Sequence, residues 1–266
     1  MNSKLSQQLT KHILARLGFS HPPPATLAGL TALYSSWCNH IPFDNIHKLI
    51  HLANDDPSPL PGANPEEFFK NWLSHGTGGL CWAGNEALFR LLDTLGFSVK
   101  RGLATMLISD NEPSNHGTVI ALFNASLYLV DASMLHDRPV LLGARPQTFF
   151  GNKPWKLTCE IHNGKHHLRT RMLHMPQGCT CRIDKIGVDG DDFIRCNEFT
   201  RHRSPFNRSL YLRINRNDSV TGLAFGKKIT IGPDQSITES PCSTKEQLEF
   251  LVYQIGISKR ILTHLL

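Results

Sequence analysis

Residues 76–89 read GTGGLCWAGNEALF, so two glycines, Gly78 and Gly79, deliver Cys81 to the first turn of a helix. A helix start presents unpaired backbone N–H groups and the positive end of the helix dipole, and both favour a thiolate over a thiol. A cysteine so placed can act as a nucleophile. It can equally be a small apolar residue on the inner face of a core helix, the commoner fate of a free cysteine. The stretch itself does not supply the base that would decide between the two.

A thiol nucleophile needs an imidazole within hydrogen-bond reach, and the imidazole needs an acceptor that fixes its tautomer. Of fourteen histidines, one is singled out by the stretch HGTVIALFNASLYLVD at 116–131. A two-residue turn at Asn124-Ala125 sets Phe123 opposite Ser126 and, in the same register, Thr118 opposite Asp131. His116 then lies on the same face as the diagonal neighbour of Asp131, about 7–8 Å away between backbones. A turn of odd length would separate them to opposite faces. The alternative is a solvent-facing histidine beside a strand-end aspartate, although Asp131 closes a strongly apolar run where a carboxylate needs a partner.

Helices must carry the thiol and strands the other two groups. Leu5, Leu9, Ile13 and Leu17 form one stripe of an amphipathic amino-terminal helix, ended by Gly18 and the HPPP at 21–24. A second helix has Leu27, Leu30, Leu33, Tyr34 and Trp37 on one face. The turn HIPFDN leads to a short helix ending near Leu52. A loop over ANDDPSPLPGANP ends in Asn64-Pro65, the N-cap and first residue of a helix that Gly76 closes. The nucleophile helix is expected over about 81–95, with Cys81, Asn85, Leu88 and Leu92 on one face and Gly96 as its stop. From Phe97 the apolar period changes to two, and strand-like runs at 97–105, 118–123, 127–131, 211–214 and 228–231 suggest a barrel or sandwich. A final helix over 244–255 begins with a capping box from Ser243 to Glu246.

The composition is that of an ordinary globular protein: 266 residues, 40% hydrophobic. The amino-terminal pattern reads as neither a signal peptide nor a membrane span, and no later stretch is apolar for long enough to cross a bilayer. Seven cysteines at irregular spacing argue against a disulfide framework and for a reducing cytoplasm. The net charge of +6 favours anionic partners. No basic run interleaved with aromatics supports a nucleic-acid surface, and the densest basic stretch, 195–216, reads as a strand-rich segment with solvated arginines.

Two competing motifs lose on geometry. His162, His166, His167, His174, Cys179 and Cys181 fall within twenty residues, but the glycine in HNGKHH opposes a helical ligand pair and Cys-X-Cys is an uncommon zinc spacing, so an exposed polar hairpin is expected and no metal site. GTGGLC lacks the Lys-Ser/Thr of a phosphate-binding loop.

Taken together, these residues resemble the arylamine N-acetyltransferases. That family's nucleophile motif is Arg-Gly-Gly, one residue, Cys, one residue, Glu or Gln, one residue, Asn; here Gly78, Gly79, Cys81 and Asn85 stand in register. Ile41-Pro42-Phe43-Asp44-Asn45 is similar to its Ile-Pro-Phe-Glu-Asn stretch. His116 and Tyr128-Leu129-Val130-Asp131 are similar to its histidine and its Tyr-Leu-Val-Asp strand, and Ser204-Pro205 and EFLVYQIGI to its later landmarks. Three positions depart: Thr77 stands for Arg, Ala83 for Glu or Gln, and Ala132-Ser133-Met134-Leu135 for a Gly-Phe-Gly segment near the acyl pocket.

The resemblance implies an α+β fold with a helical bundle at 1–96 carrying the nucleophile, a β-barrel at 97–203 carrying His and Asp, and a small α/β lid at 204–266. It implies a Cys81-His116-Asp131 triad at the bundle/barrel junction, Phe43, Gly79 and Trp82 lining the substrate site, and Asn85 supporting it. The expected activity is ping-pong acyl transfer from acetyl-CoA or another acyl-CoA, a co-substrate rather than a bound cofactor, to a small-molecule amine in the cytoplasm. No nucleic-acid or membrane partner is expected. A thiol hydrolase or amide-forming enzyme with the same triad, and a catalytically silent binding protein of this fold, are the competing readings.

Overall fold

The computed structural model describes residues 4–108, 113–149 and 153–265. Five helices and one short strand come first: α1 (Gln7–Arg16), α2 (Leu27–His40), β1 (Phe43–Asp44), α3 (Ile46–Ala53), α4 (Pro65–His75) and α5 (Cys81–Thr94). Their ends follow local chemistry. Ser6, Thr26 and Asn64 accept hydrogen bonds from the first-turn N–H groups of α1, α2 and α4, Pro65 opens α4, and Gly76 ends it in a left-handed conformation. Helix α5 is buried on every side from Trp82 to Leu92, so the face predicted from Cys81, Asn85, Leu88 and Leu92 is only part of its buried surface. Its midpoint carries a carboxylate, which is tolerated because Arg101 donates twice to Glu86 (2.5 and 2.7 Å).

Eight antiparallel strands follow: β2 (Val99–Leu107), β3 (His116–Phe123), β4 (Ser126–Val130), β5 (Val140–Leu141), β6 (Gln147–Phe149), β7 (Leu157–His162), β8 (Lys165–Met172) and β9 (Met175–Val188). They pair in the order β5-β4-β3-β2-β9-β8-β7-β6 as a nearly closed barrel. Strand β3 faces two cores: Ile120 points into the barrel with Leu129 and Leu168, while Val119 and Ala121 join the helical core. That double burial explains its unbroken apolar run.

Helix α6 (Gly190–Phe199) then precedes β10 (Tyr211–Arg216), β11 (Ser219–Ala224), β12 (Lys227–Ile231), β13 (Ile237–Pro241), α7 (Thr244–Glu249) and α8 (Lys259–Leu262). Strand β1 completes this second sheet, pairing Phe43 with Arg213 and Asp44 with Leu212. The predicted capping box at Ser243 is formed, and α7 continues through a π-helical turn to Ile255.

Two expectations are corrected. The stretch 195–216 is not strand-rich throughout: its first part belongs to α6, whose start is capped by Asp189 and has Asp191 and Asp192 in its first turn. Nor are its arginines all solvated, because Arg213 is buried and donates to the Ser133 carbonyl and the Met172 sulfur. The 162–181 segment is a hairpin at its tip, with His162 opposite Lys165, but Cys179 and Cys181 lie in the barrel core rather than in an exposed loop.

Candidate active site

The loop before α5 is held against β1 by backbone contacts. Asp44 N donates to the Gly79 carbonyl (3.3 Å), and Gly78 N donates to Asp44 Oδ2 (2.5 Å), whose other oxygen accepts from Ile46 N (3.0 Å). The approach is so close that a Cβ on Gly78 would lie 1.8 Å from the Pro42 carbonyl oxygen. Burial pushes the Asp44 carboxyl up to about 6, against those two hydrogen bonds. Where the resembled motif has Arg, the buried Thr77 hydroxyl instead bonds His47 Nε2 (2.8 Å), and burial holds that imidazole down at about 4, in its neutral form. Where it has Glu or Gln, Ala83 packs against the Gly62 backbone. Both departures therefore replace charged or polar groups with neutral ones.

Cys81 is the first residue of α5, half-buried, and no side chain caps the N–H groups of this helix start. The other six thiols are all pushed up by burial, Cys159 and Cys179 to about 11, and Cys38 and Cys181 further. His116 opens β3 and is 3% exposed, with Nε2 donating to Asp131 Oδ2 at 2.8 Å. The Cys81 thiol lies close enough to influence the ring's charge. Burial opposes a charged imidazole, but the facing Asp131 carboxylate, with a smaller effect from Cys81, raises its pKa to about 10.

Asp131 lies one residue past β4, because the hairpin register runs from Phe123 opposite Ser126 to Val119 opposite Val130 and stops there. The expected two-residue turn is formed, with Asn124 and Ala125 both at positive φ. The carboxylate is fully buried. Burial works to raise its pKa, yet His116 and donors on Oδ1, among them Ser133 N, Ser133 Oγ and Met134 N at 2.7–3.0 Å, hold it well below the usual carboxylate range; Asn85 Nδ2 also reaches Oδ1 at 3.4 Å. Its backbone is pinned by Tyr34, whose hydroxyl donates to the Asp131 carbonyl (2.8 Å) and accepts from Asp131 N (3.1 Å) and His136 N (3.2 Å). Asn85, one turn beyond Cys81, donates to the Gly117 carbonyl (2.7 Å) and accepts from Ala132 N (3.0 Å), tying α5 to both flanks of the His116/Asp131 pair.

The chemistry of this arrangement is that of a thiol beside an oriented imidazole. A family model described as N-acetyltransferase matches residues 26–258. The chain belongs to the arylamine N-acetyltransferase family. It is 27% identical over 169 residues to an arylamine N-acetyltransferase of Mycolicibacterium smegmatis, a match spanning 60% of this chain and 58% of that relative. The fold is similar to the arylamine N-acetyltransferase of Mycobacterium abscessus (TM-score 0.81, 17% identity, 96% and 93% of the two chains). It is similar also to one from Bacillus cereus described as having a Cys-His-Glu catalytic triad (TM-score 0.74, 17% identity, 95% and 100%).

Within this N-acetyltransferase framework the remaining site residues sit as follows. Phe43 is buried edge-on to Phe206 (5.8 Å) and Tyr211 (5.6 Å), and it bridges to Gly79. Trp82 is 2% exposed, wedged between Gly117 and the ring of Phe193 on α6 (5.2 Å), so its contacts are with the barrel and α6. Among the described residues, no group of three or more His, Cys, Asp or Glu side chains is placed to hold a metal ion, and no helix is long and apolar enough to cross a membrane. The sequence reading missed Tyr34, which carries Asp131, and the polar residues Lys48 and Asn197 beside the nucleophile loop. Tyr34 was legible only as a core residue, since its partner lies 97 positions away.

Proposed function

We propose that the protein is an N-acyltransferase that moves an acetyl group from acetyl-CoA to an arylamine through a thioester on Cys81. The observation that carries this reading is the buried His116–Asp131 pair at 2.8 Å, with Cys81 at the start of α5 close enough to influence the imidazole's charge. With the thiol proton already held on the His116 imidazolium, the Cys81 thiolate attacks the carbonyl carbon of the donor thioester. The C–S bond to CoA breaks, and the departing thiolate takes that proton. The uncapped N–H groups at the start of α5 are suited to the developing oxyanion. The amine then attacks the Cys81 thioester and gives its proton to His116, and the amide leaves with the thiol restored. Asp131 keeps the ring oriented and balances its positive charge. Phe43 and Gly79 border the acyl group in this reading, Trp82 backs the wall, and the enzyme works in the cytoplasm as a soluble protein.

The test is intact-mass spectrometry joined to CoA release. Incubation with acetyl-CoA should add one acetyl group to the wild type and none to C81A. CoA should appear as a burst of about one enzyme equivalent and resume only when an aromatic amine or hydrazine is added. Steady CoA release without amine would make the protein a thioesterase. No burst with any acyl-CoA, while iodoacetamide still labels Cys81 ahead of the other thiols, would leave a binding role.

A further inference from the structure

A pocket beside the nucleophile is lined by Lys48 of α3, Gly79 and Leu80 of the loop, Ala83 of α5 and Asn197 of α6. Lys48 is only 6% exposed. Its Nζ donates to the carbonyl (3.1 Å) and hydroxyl (2.7 Å) of Thr200, and among the described residues no carboxylate lies within 4.0 Å of it. An ammonium has three N–H groups, so one is left over, and a buried charge with no carboxylate in contact is costly. Burial lowers its pKa to about 8, which keeps it cationic at neutral pH; Cys81 and, more weakly, Glu198 work to raise it, and Arg201 works to lower it. Asn197 is likewise 6% exposed, and its Nδ2 has no hydrogen-bond partner. The one carboxylate in the pocket, Asp44, already accepts from two backbone N–H groups. The spare donors of Lys48 and Asn197 thus face this pocket next to the positive end of α5.

We propose that Lys48 and Asn197 form a carboxylate-binding subsite beside Cys81, which selects a substrate carrying an acid group. The carboxylate can belong to the acyl group delivered to Cys81 or to the incoming amine; the chemistry of the subsite is the same for both. Lys48 also closes the carboxyl end of α6 through Thr200, the helix cap. That structural contact alone would change stability without changing charge preference.

The experiment has three arms, run on the wild type, K48M and N197A; the second variant removes an amide that has no partner, so it keeps the test open if K48M fails to fold. The donor arm compares acylation rates with succinyl-CoA and butyryl-CoA, which match in chain length. The acceptor arm compares kcat/KM for 4-aminobenzoate and its methyl ester. The binding arm measures thermal stabilisation by succinate and benzoate against their amides and against inorganic phosphate. The kinetic arms rest on the proposed acyl transfer; the binding arm does not, so the two proposals fail separately. The wild type should prefer the acid in the donor or the acceptor arm, and both variants should reduce that preference by about tenfold, as for a lost charge-assisted hydrogen bond. The same variants should lose stabilisation by the corresponding carboxylate. A wild type without preference for acids in any arm, preferences unchanged in the variants, or equal stabilisation by phosphate would overturn the proposal.

Discussion

His116 binds Asp131 through Nε2, and the tautomer is therefore set from the Asp131 side. In D131N, the amide oxygen can still occupy the Oδ1 position and accept from Ser133 and Met134, while its NH₂ faces Nε2. The ring must then carry its proton on the nitrogen that should receive the thiol proton. We expect D131N to remain folded, losing about 1–3 kcal/mol, and to transfer acyl groups some 10³–10⁴-fold more slowly; urea unfolding and CoA-release kinetics measure the two, and parallel losses would make Asp131 purely structural. The same pair gives a pH signature. The folded His116 pKa of about 10 exceeds its ordinary 6.5, so its contribution is complete below that ordinary value and is lost as pH rises toward the folded one. Asp131, held low, contributes above the ordinary carboxylate range and loses that contribution only in acid. Between about pH 7 and 9.5, wild-type stability should fall relative to that of H116Q by up to about 1.4 kcal/mol per pH unit. Parallel stability curves for the two proteins would contradict a charged pair.

Among the elements, the junction of β1 with the loop before α5 fixes where the thiol stands. No side chain caps α5, so the position of Cys81 depends on the Gly78-Gly79 backbone lying flat against Pro42 and Asp44. G78A forces a methyl group into the Pro42 carbonyl, a backbone atom that cannot rotate away. The expected cost is about 2–3 kcal/mol, with acylation of Cys81 impaired beyond what the lost stability explains. Thermal unfolding and intact mass would show this, and a stable, fully acylating G78A would mean that the loop can shift without consequence. The local signals for this junction were plain in the sequence: two glycines before a helix, and a Pro-Phe-Asp-Asn turn. Their pairing with each other was not, since 34 residues separate Asp44 from Gly78.

At the scale of the molecule, three pieces of chain share the site. Helix α5 brings the thiol, the β3–β4 hairpin brings His116 and Asp131, and the second sheet braces the turn after Asp131 from behind. Asn215 on β10 donates to the Leu135 carbonyl at 2.8 Å, and Arg213 reaches the Ser133 carbonyl at 3.4 Å. N215L would leave the buried Leu135 carbonyl unpaired, so a loss of about 1–3 kcal/mol is expected. Activity should fall as well, because the turn carries the donors that hold Asp131; calorimetry with an acyl-transfer assay checks both, and an unchanged melting temperature would refute the brace. Because β1 pairs with β10, the proposed lid at 204–266 is stitched to the first third of the chain, so unfolding should be a single transition.

The sequence by itself determined what short-range physics can encode. Caps at Asn64 and Ser243, the stop at Gly96 and the Asn124-Ala125 turn are each decided by a few neighbouring residues, and all are present. The hairpin register brought His116 toward Asp131 for the same reason: a two-residue turn fixes parity on both strands. Tertiary structure decided what depends on partners distant in the chain. Arg213 read as a solvated strand charge because its partners at Ser133 and Met172 are remote, and α6 was hidden among arginines although Asp189, Asp191 and Asp192 marked its start. Lys48 and Asn197 were unremarkable in sequence; only the packing of α3 and α6 against the start of α5 buries their donors beside a thiol. Burial makes an ordinary polar residue consequential, and burial is a property of the assembled molecule.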